Sequence, residues 1–435
     1  MQVSVEHLSN LERKLTVSVP ADRLESRISE RLREISRTVR LKGFRPGKVP
    51  AKVVEQRFGA QIRNEAMSEV IQDSFGEALR QENLRPAVPP SIQTDGKPKD
   101  GEFSYVATFE VMPELGPIDV SSLKVKRPTA EVADADIDQM IETLRLQRRT
   151  WNPVERAAKD GDLVMFESFV TVGETRVPAE GMERSGTVLG SKAMMPKVEE
   201  ALVGIATGDE RNVEIDFPAE HRNADLAGKT GTMTVRAVRV SEPVLPAVDD
   251  AFMASFGVAE GGIEKFRQEV KANLERELKG ALMARLKNDV VSRLLEKFSE
   301  LELPKRMVEA EAVGLANQAE QRAQQQGQKG AKVAPEAFAG VAKQRVAAAV
   351  LLGELARQNQ IKLDQGRVAE MMASIASTYE DPQQVFELYR GDEQLMRSLE
   401  SRVVEDQVID WIADHADLTE EALSFAEVMR PGNAL

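Results

Sequence analysis

The sequence predicts a multidomain α+β protein: an α+β N-terminal domain, a β-rich middle domain and a C-terminal domain of long helices. Three observations carry this expectation. A chain of 435 residues is long enough for about three domains of ~150 residues each. Before Pro243, apolar residues alternate with polar ones in several short runs, as half-buried strands do; from Phe252 onward they recur at intervals near four, as on one face of a helix. The composition, 42% hydrophobic with 5% aromatic and 30% charged residues, suits well-solvated helix.

In chain order, Leu15, Val17 and Val19 alternate with Thr16 and Ser18 and predict a strand ending at Pro20. Leu24, Ile28, Leu32 and Ile35 follow at helical spacing, with arginines on the other faces. From Asp22 to Lys48, nine cations stand against four carboxylates, in a chain whose net charge is −13. Such a segment either attracts phosphate-rich surfaces in a salt-sensitive way or is a solvated helix face with internal ion pairs. It runs into Gly43-Phe44-Arg45-Pro46-Gly47-Lys48-Val49-Pro50. The glycines permit positive φ and the prolines fix φ, so this stretch reads as a loop. A ring and two cations on a rigid loop suit an anchor for another macromolecule; the alternative is a charged turn that includes one aromatic.

Ala51 to Leu84 is helix-periodic through Val54, Phe58, Ile62, Ala66, Val70, Phe75 and Leu79, with Gly59 a candidate break. Val88 to Gln93 and Phe103 to Val111 read as strands joined by a polar turn, with Phe103, Tyr105, Ala107 and Phe109 on one face. An N-terminal domain over 1–112 is expected. Residues 113–159 read as a connection: an extended piece, then a helix with the stripe Ile137, Met140, Ile141 and Leu144, ended by Trp151-Asn152-Pro153. Over 160–242, β-like runs at 163–172, 212–217 and 231–240 surround a helical stretch at 197–202. Over 243–435 the chain is helical: a long amphipathic helix or two up to Leu303-Pro304, one from Lys305, a glutamine-rich bend at 324–330, then helices from Pro335, Asp364, Pro382 and Asp392.

Several functions are excluded on residue type. Cys is absent, which removes disulfides, thiolate nucleophiles and cysteine-bound metals and is compatible with a cytoplasmic location. Met1 to Leu8 lacks a signal-peptide pattern, and the apolar run near Val346 to Leu352 is far short of the ~20 residues that span a bilayer, so a soluble, unexported chain with no membrane partner is expected. Gly228-Lys229-Thr230 ends like a phosphate-binding loop, but its first glycine would fall at Asn223, so no nucleotide is expected. His7, His221 and His415 have no metal-ligand spacing, and no hydrolase elbow is present. The sequence calls for no cofactor and no metal.

The octet at Gly43 to Pro50 resembles the ribosome-docking signature of the trigger factor family, Gly-Phe-Arg, a variable residue, Gly-Lys, a variable residue, Pro, and every fixed position matches. The resemblance implies that Gly43, Phe44, Arg45, Gly47 and Lys48 dock at ribosomal protein and ribosomal RNA near the peptide exit. It further implies an ATP-independent chaperone for nascent or unfolded polypeptides, with C-terminal helical arms and homodimerisation away from the ribosome. Gly161-Asp162-Leu163-Val164, Met195-Pro196-Lys197-Val198-Glu199, Phe217-Pro218 and Leu226-Ala227-Gly228-Lys229 resemble FKBP-type prolyl isomerases as they occur inside this family. The pocket candidates are Phe166, Phe169, Met195, Pro196, Val198, Phe217 and Met233. Prolyl rotation needs no nucleophile or proton transfer, only an apolar wall that desolvates the amide and favours its twisted form. Ser168, Arg176, Val198, His221 and Met233 stand where the family presents aromatics, which predicts a retained fold with weak or absent isomerase activity. Two rivals are a dedicated prolyl isomerase with accessory domains and an RNA-binding regulator that uses the basic helix. Met253, Met283, Met307, Met371, Met372, Met396 and Met429 suit either adaptable contact surfaces or core filling.

Overall fold

The computed structural model describes residues 1–39, 50–94, 101–218, 226–327, 330, 332–379 and 381–430. Its contacts divide the chain into two compact units, one of Met1–Thr129 with Ala281–Leu423, the other of Ala130–Gly280 with Ser424–Met429.

The first unit begins with an antiparallel sheet in the order Gln2–His7, Glu12–Pro20, Glu102–Glu110, Ser91–Thr94. Leu15, Val17 and Val19 meet Phe103, Tyr105, Ala107 and Phe109 on the face that the helices Ala21–Thr38 and Ala51–Gln81 cover through Leu24, Ala66, Val70, Phe75 and Ala78. Phe75 stands edge-on to Phe109 at 5.3 Å, and the Ser74 and Tyr105 hydroxyls share a buried hydrogen bond of 2.9 Å. Gly59 does not break the second helix. Val54 and Ile62, both fully buried, hold the turns on either side of it, and packing outweighs the roughly 1 kcal/mol cost of a helical glycine. The strand expected from Val88 starts later, at Ser91.

The helices of this unit are the C-terminal part of Gly262–Lys297, then Lys305–Gln325, Ala339–Gln358, Gln365–Ala376, Pro382–Gly391 and Glu393–His415. Leu286, Val290, Leu294, Leu351, Leu355, Ile409 and Ile412 close their core over Ile118, Val120, Leu123 and Val125. The last three helices start at Asp364, Asp381 and Asp392, whose carboxylates accept from the first free amides, so their beginnings were readable as capping residues. The C-terminal region is not wholly helical: Asp417–Ala422 is a strand that pairs in parallel with Lys124–Thr129. That pairing joins residues almost 300 positions apart, and neither partner carries an alternating apolar run.

The second unit holds an antiparallel sheet ordered Glu210–Asp216, Thr230–Val244, Leu163–Val172, Thr175–Val177. Glu183–Val188 pairs with Leu163–Val172, and Thr150–Val154 pairs with the end of Thr230–Val244. Trp151-Asn152-Pro153 is therefore sheet edge; the preceding helix, Asp134–Gln147, has already ended. Helix Pro196–Leu202 covers the core through Val198 and Leu202. Asp134–Gln147 packs by Ile137 and Ile141 on Phe252, Phe266, Val270 and Leu274. The apolar run from Phe252 is two helices, Asp250–Ala254 and Gly262–Lys297, because Gly257, Gly261 and Gly262 between them take positive φ. Ile263, which falls on the near-four spacing between Phe252 and Phe266, is exposed at the start of the longer one.

Candidate functional site

The signature residues Gly43, Phe44, Arg45, Gly47 and Lys48 lie outside the described residues. What flanks them is described. Helix Ala21–Thr38 ends, and helix Ala51–Gln81 begins, on the two sides of the signature, and Ile35 and Val39 pack in one cluster with Val53, Val54 and Phe58. The two helices thus form an antiparallel hairpin, and Gly43 to Lys48 fall between them in sequence.

The charges of this hairpin are sorted along its length. Arg23 forms a two-point pair with Glu77 at 2.9 and 3.0 Å. Arg27 and Arg31 both converge on Glu69, and also pair with Glu30 and Glu34 at 3.1 and 2.9 Å. Hydrogen bonds from Arg31 and then Arg27 hold the Glu69 carboxyl below the usual carboxylate range. Toward the signature the pattern changes. Arg33, Arg37, Lys52 and Arg57 are exposed and, among the described residues, have no carboxylate partner. Internal ion pairing, one of the two readings of the basic segment, is met at Arg23, Arg27 and Arg31. At the end that leads to the signature, Arg33, Arg37, Lys52 and Arg57 outnumber the exposed Glu55, a local cationic excess of the kind that attracts phosphate. Arg63 and Arg80, farther along the second helix, are also exposed without a carboxylate partner among the described residues. Glu69 and Glu77 were invisible to the local charge count because they face Arg27, Arg31 and Arg23 from the other helix, roughly 40 to 50 positions on.

In the β-rich unit, the structure brings together four of the seven pocket candidates. Phe166, Val198, Phe217 and Met233 are buried in one cluster with Val164, Val170, Leu202, Ile215 and Val235. Phe169 is on the opposite face of its strand, where the Arg176 guanidinium lies over its ring at 4.1 Å. Arg176 also donates to the carbonyl oxygens of Pro178 and Ala179 at 2.8 and 3.3 Å and to that of Gly181. Met195 and Pro196 are exposed at the start of helix Pro196–Leu202. Ser168 is buried on the core face beside Val235, a hydroxyl where an apolar wall would want a ring, and His221 lies outside the described residues. This cluster can desolvate an apolar group, and among its described members Phe166 and Phe217 are the aromatic ones.

One charged constellation here escaped the sequence reading. Asp162, fully buried, accepts from Arg156 at 2.5 and 3.1 Å and from the Lys159 amide at 2.9 Å, while Arg156 also reaches Glu242 at 3.1 Å. Burial pushes the Asp162 carboxyl up, but the Arg156 and Lys159 donors outweigh it and hold the group below its ordinary value. The arrangement joins the start of Leu163–Val172 to the end of Thr230–Val244.

In the helical regions, Val313, Val341, Tyr379 and Leu388 present apolar surface to solvent. Of the methionines named above, Met253 and Met372 are buried and Met283, Met307, Met371 and Met396 are partly buried against core clusters, so these six act as filler; Met429 is half-buried and joins no such cluster. Among the described residues no helix is long and apolar enough to cross a membrane, and no group of His, Asp or Glu is arranged to hold a metal ion.

Comparison with known proteins gives a consistent assignment. Sequence models described as "Bacterial trigger factor protein (TF)" and "Bacterial trigger factor protein (TF) C-terminus" match residues 1–144 and 262–414. Trigger factor from Xanthomonas axonopodis pv. citri (strain 306) is 51% identical over 433 residues, 99% of this chain and 100% of that one. Trigger factor from Stenotrophomonas maltophilia (strain K279a) is 52% identical over the same spans. A solved structure described as "Promiscuous Substrate Recognition in Folding and Assembly Activities of the Trigger Factor Chaperone" aligns over 95% of this chain and 99% of its own, at 21% identity and a TM-score of 0.40. With both family models matched and half of the residues identical along nearly the whole length, the chain belongs to the bacterial trigger factor family of ribosome-associated chaperones.

Proposed function

We propose that this chaperone works without ATP, docks beside the peptide exit through Gly43, Phe44, Arg45, Gly47 and Lys48, and shields emerging apolar segments with its helical region. In this reading residues 1–112 are the docking domain, 113–159 a connection, 160–242 an isomerase-like domain and 243–435 the client-binding domain. The observation that carries it is the charge of the hairpin, where Arg33, Arg37, Lys52 and Arg57, on the flanks of the signature, have no carboxylate partner among the described residues. Phe44 would fill an apolar pocket on ribosomal protein while the cations face ribosomal RNA. Exposed Val313, Val341, Tyr379 and Leu388 supply scattered, weak contacts suited to rapid release. Cytoplasmic location and homodimerisation off the ribosome are parts of the same reading.

The experiment is co-sedimentation with ribosomes of the intact chain and of a Phe44→Ala, Arg45→Ala, Lys48→Ala triple variant. Loss of binding in the variant supports docking by the signature; equal binding by both removes it. For residues 160–242 we propose a prolyl isomerase of low or no turnover, supported by Ser168, Val198 and Met233 at positions of the expected aromatic wall. Turnover typical of FKBP-type enzymes in a proline-peptide assay would overturn that part alone.

A further inference from the structure

Helix Lys305–Gln325 begins after Pro304, which has no side chain able to cap it. A helix leaves four amides without internal partners at its start. Pro304 at the cap has no N–H, so three remain, those of Lys305, Arg306 and Met307, and all three are accounted for; Val308 makes the first regular helical bond. Met307 and Val308 donate to the Pro304 carbonyl at 3.1 and 3.2 Å. Lys305 and Arg306 donate to the two carboxylate oxygens of Glu110, at 3.0 and 2.9 Å. Glu110 is the last residue of strand Glu102–Glu110, almost 200 positions earlier, and its backbone is pinned by the Ala87 amide at 2.8 Å. The cap for this helix is therefore supplied by the N-terminal sheet.

Other contacts converge on the same place. Asn10 donates to Glu302 at 2.9 Å, and Arg85 reaches Glu354 of helix Ala339–Gln358 at 3.4 Å. Met112 and Leu115 pack on Leu303, Val346 and Val350. Further along, Ala312, Leu315 and Ala342 form a separate cluster with Val308 and Phe338, drawn from the two helices and the 3-10 turn Pro335–Phe338 that leads into the second. The two helices are thus gripped by the N-terminal sheet at one end and by each other beyond it.

We propose that Glu110 is a latch through which the N-terminal domain sets the first turn of helix Lys305–Gln325, so that docking of the hairpin is felt at the base of the client-facing helices. The functional half of this statement rests on the docking and shielding roles proposed above; the capping half does not. A carboxylate at this position serves twice, as acceptor for two amides and as a negative charge at the positive end of the helix dipole.

The test is hydrogen exchange read by mass spectrometry on the full chain, free and ribosome-bound, for wild type, Glu110→Ala, Glu110→Gln and Asn10→Ala. In the free protein, Glu110→Ala should raise exchange of the 305–308 amides about tenfold, the loss expected of a cap. Glu110→Gln, which keeps one accepting oxygen and the shape, should give a smaller rise confined to the same amides. Asn10→Ala, which breaks the neighbouring contact and leaves the helix end alone, should not. Ribosome binding should slow exchange at 305–308 in the wild type and not in Glu110→Ala, while both co-sediment equally. Unchanged exchange at 305–308 in both Glu110 variants would overturn the latch, as would a rise in Glu110→Gln spread evenly over 102–110 and 305–325. Failure of the wild type to co-sediment would overturn the docking reading and leave the capping result standing.

Discussion

Glu354 offers the sharpest link between a single group and a measurable pH dependence. Its side chain is 5% exposed, in helix Ala339–Gln358. Arg357 donates to both of its oxygens, Gln358 donates at 2.9 Å, and Arg85 approaches from the N-terminal domain at 3.4 Å. The Arg357 hydrogen bonds, aided by Gln358 and opposed by burial, hold the carboxyl at about 2, against an ordinary value of 4.5. At about 1.4 kcal/mol for each tenfold change in proton affinity, that gap corresponds to roughly 3 kcal/mol at neutral pH. Arg85 and Arg357 are 48% and 57% exposed, and solvent screening of the two guanidiniums reduces the figure to about 2 kcal/mol. Because the folded value is depressed, the stabilisation is complete above about pH 5 and is lost as pH falls toward 2. Glu354→Gln removes the charge and keeps the shape, so it should cost about 2 kcal/mol at pH 7 and progressively less as acid protonates the wild type. Trp411 packs against the same core as Leu355 and reports on it, once Trp151 is replaced by phenylalanine in both proteins. Urea titrations followed by Trp411 fluorescence at pH 7, 5 and about 3 give the difference directly. A gap between the two proteins that stays constant over that range would refute the assignment of the stabilisation to the ionised carboxylate.

Phe266 is 1% exposed and lies within 6.0 Å of the rings of both Phe252 and Phe256, so Phe266→Ala should destabilise the second unit by about 3–5 kcal/mol, seen as an earlier urea transition. Two glycines of the β-rich sheet should respond differently to alanine. A Cβ at Gly231 would stand 2.7 Å from Val172 and 3.1 Å from the Thr171 carbonyl, so Gly231→Ala should cost about 1–3 kcal/mol in thermal or urea unfolding. At Gly186 the obstruction is the flexible Met165 side chain, and Gly186→Ala should stay within about 1 kcal/mol of wild type in the same measurement. Glu69 neutralises Arg27 and Arg31, so Glu69→Gln should tighten ribosome co-sedimentation several-fold at low salt, with the gain vanishing at high salt.

The parts of this fold that were legible in the sequence are those whose cause is local. Leu15, Val17 and Val19 announce a strand by alternation, and Asp364, Asp381 and Asp392 announce helix starts by being caps. Val3 and Val5 alternate in the same manner and mark the first strand, Gln2–His7, which the sequence reading passed over because only two apolar residues support it. What stayed hidden depends on partners far along the chain. Asp417–Ala422 becomes a strand because Lys124–Thr129 accepts it, with Lys126 facing Glu421 at 3.2 Å and Arg127 facing Asp414 at 2.7 Å. Gly59 looked like a break because a glycine's local cost is visible in sequence, whereas the burial of Val54 and Ile62 around it is not.

The same division runs through the candidate sites. A docking signature is a local string and can be read letter by letter, but its electrostatic setting cannot: the hairpin's effective charge depends on Glu69 and Glu77, which only the packing of two helices places against Arg27, Arg31 and Arg23. Counting all nine cations of the segment as free overstates the field at the far end and understates how far it is concentrated toward Arg33 and Arg37. The isomerase-like pocket shows the converse. Phe166, Val198, Phe217 and Met233 are pocket candidates through the resemblance to FKBP-type prolyl isomerases, and the structure buries all four as core. A wall that is also core is kept for stability whether or not it still turns over a prolyl bond. The fold of residues 160–242 is thus held by packing that places no demand on catalysis, and a buried serine at position 168 is accommodated within it.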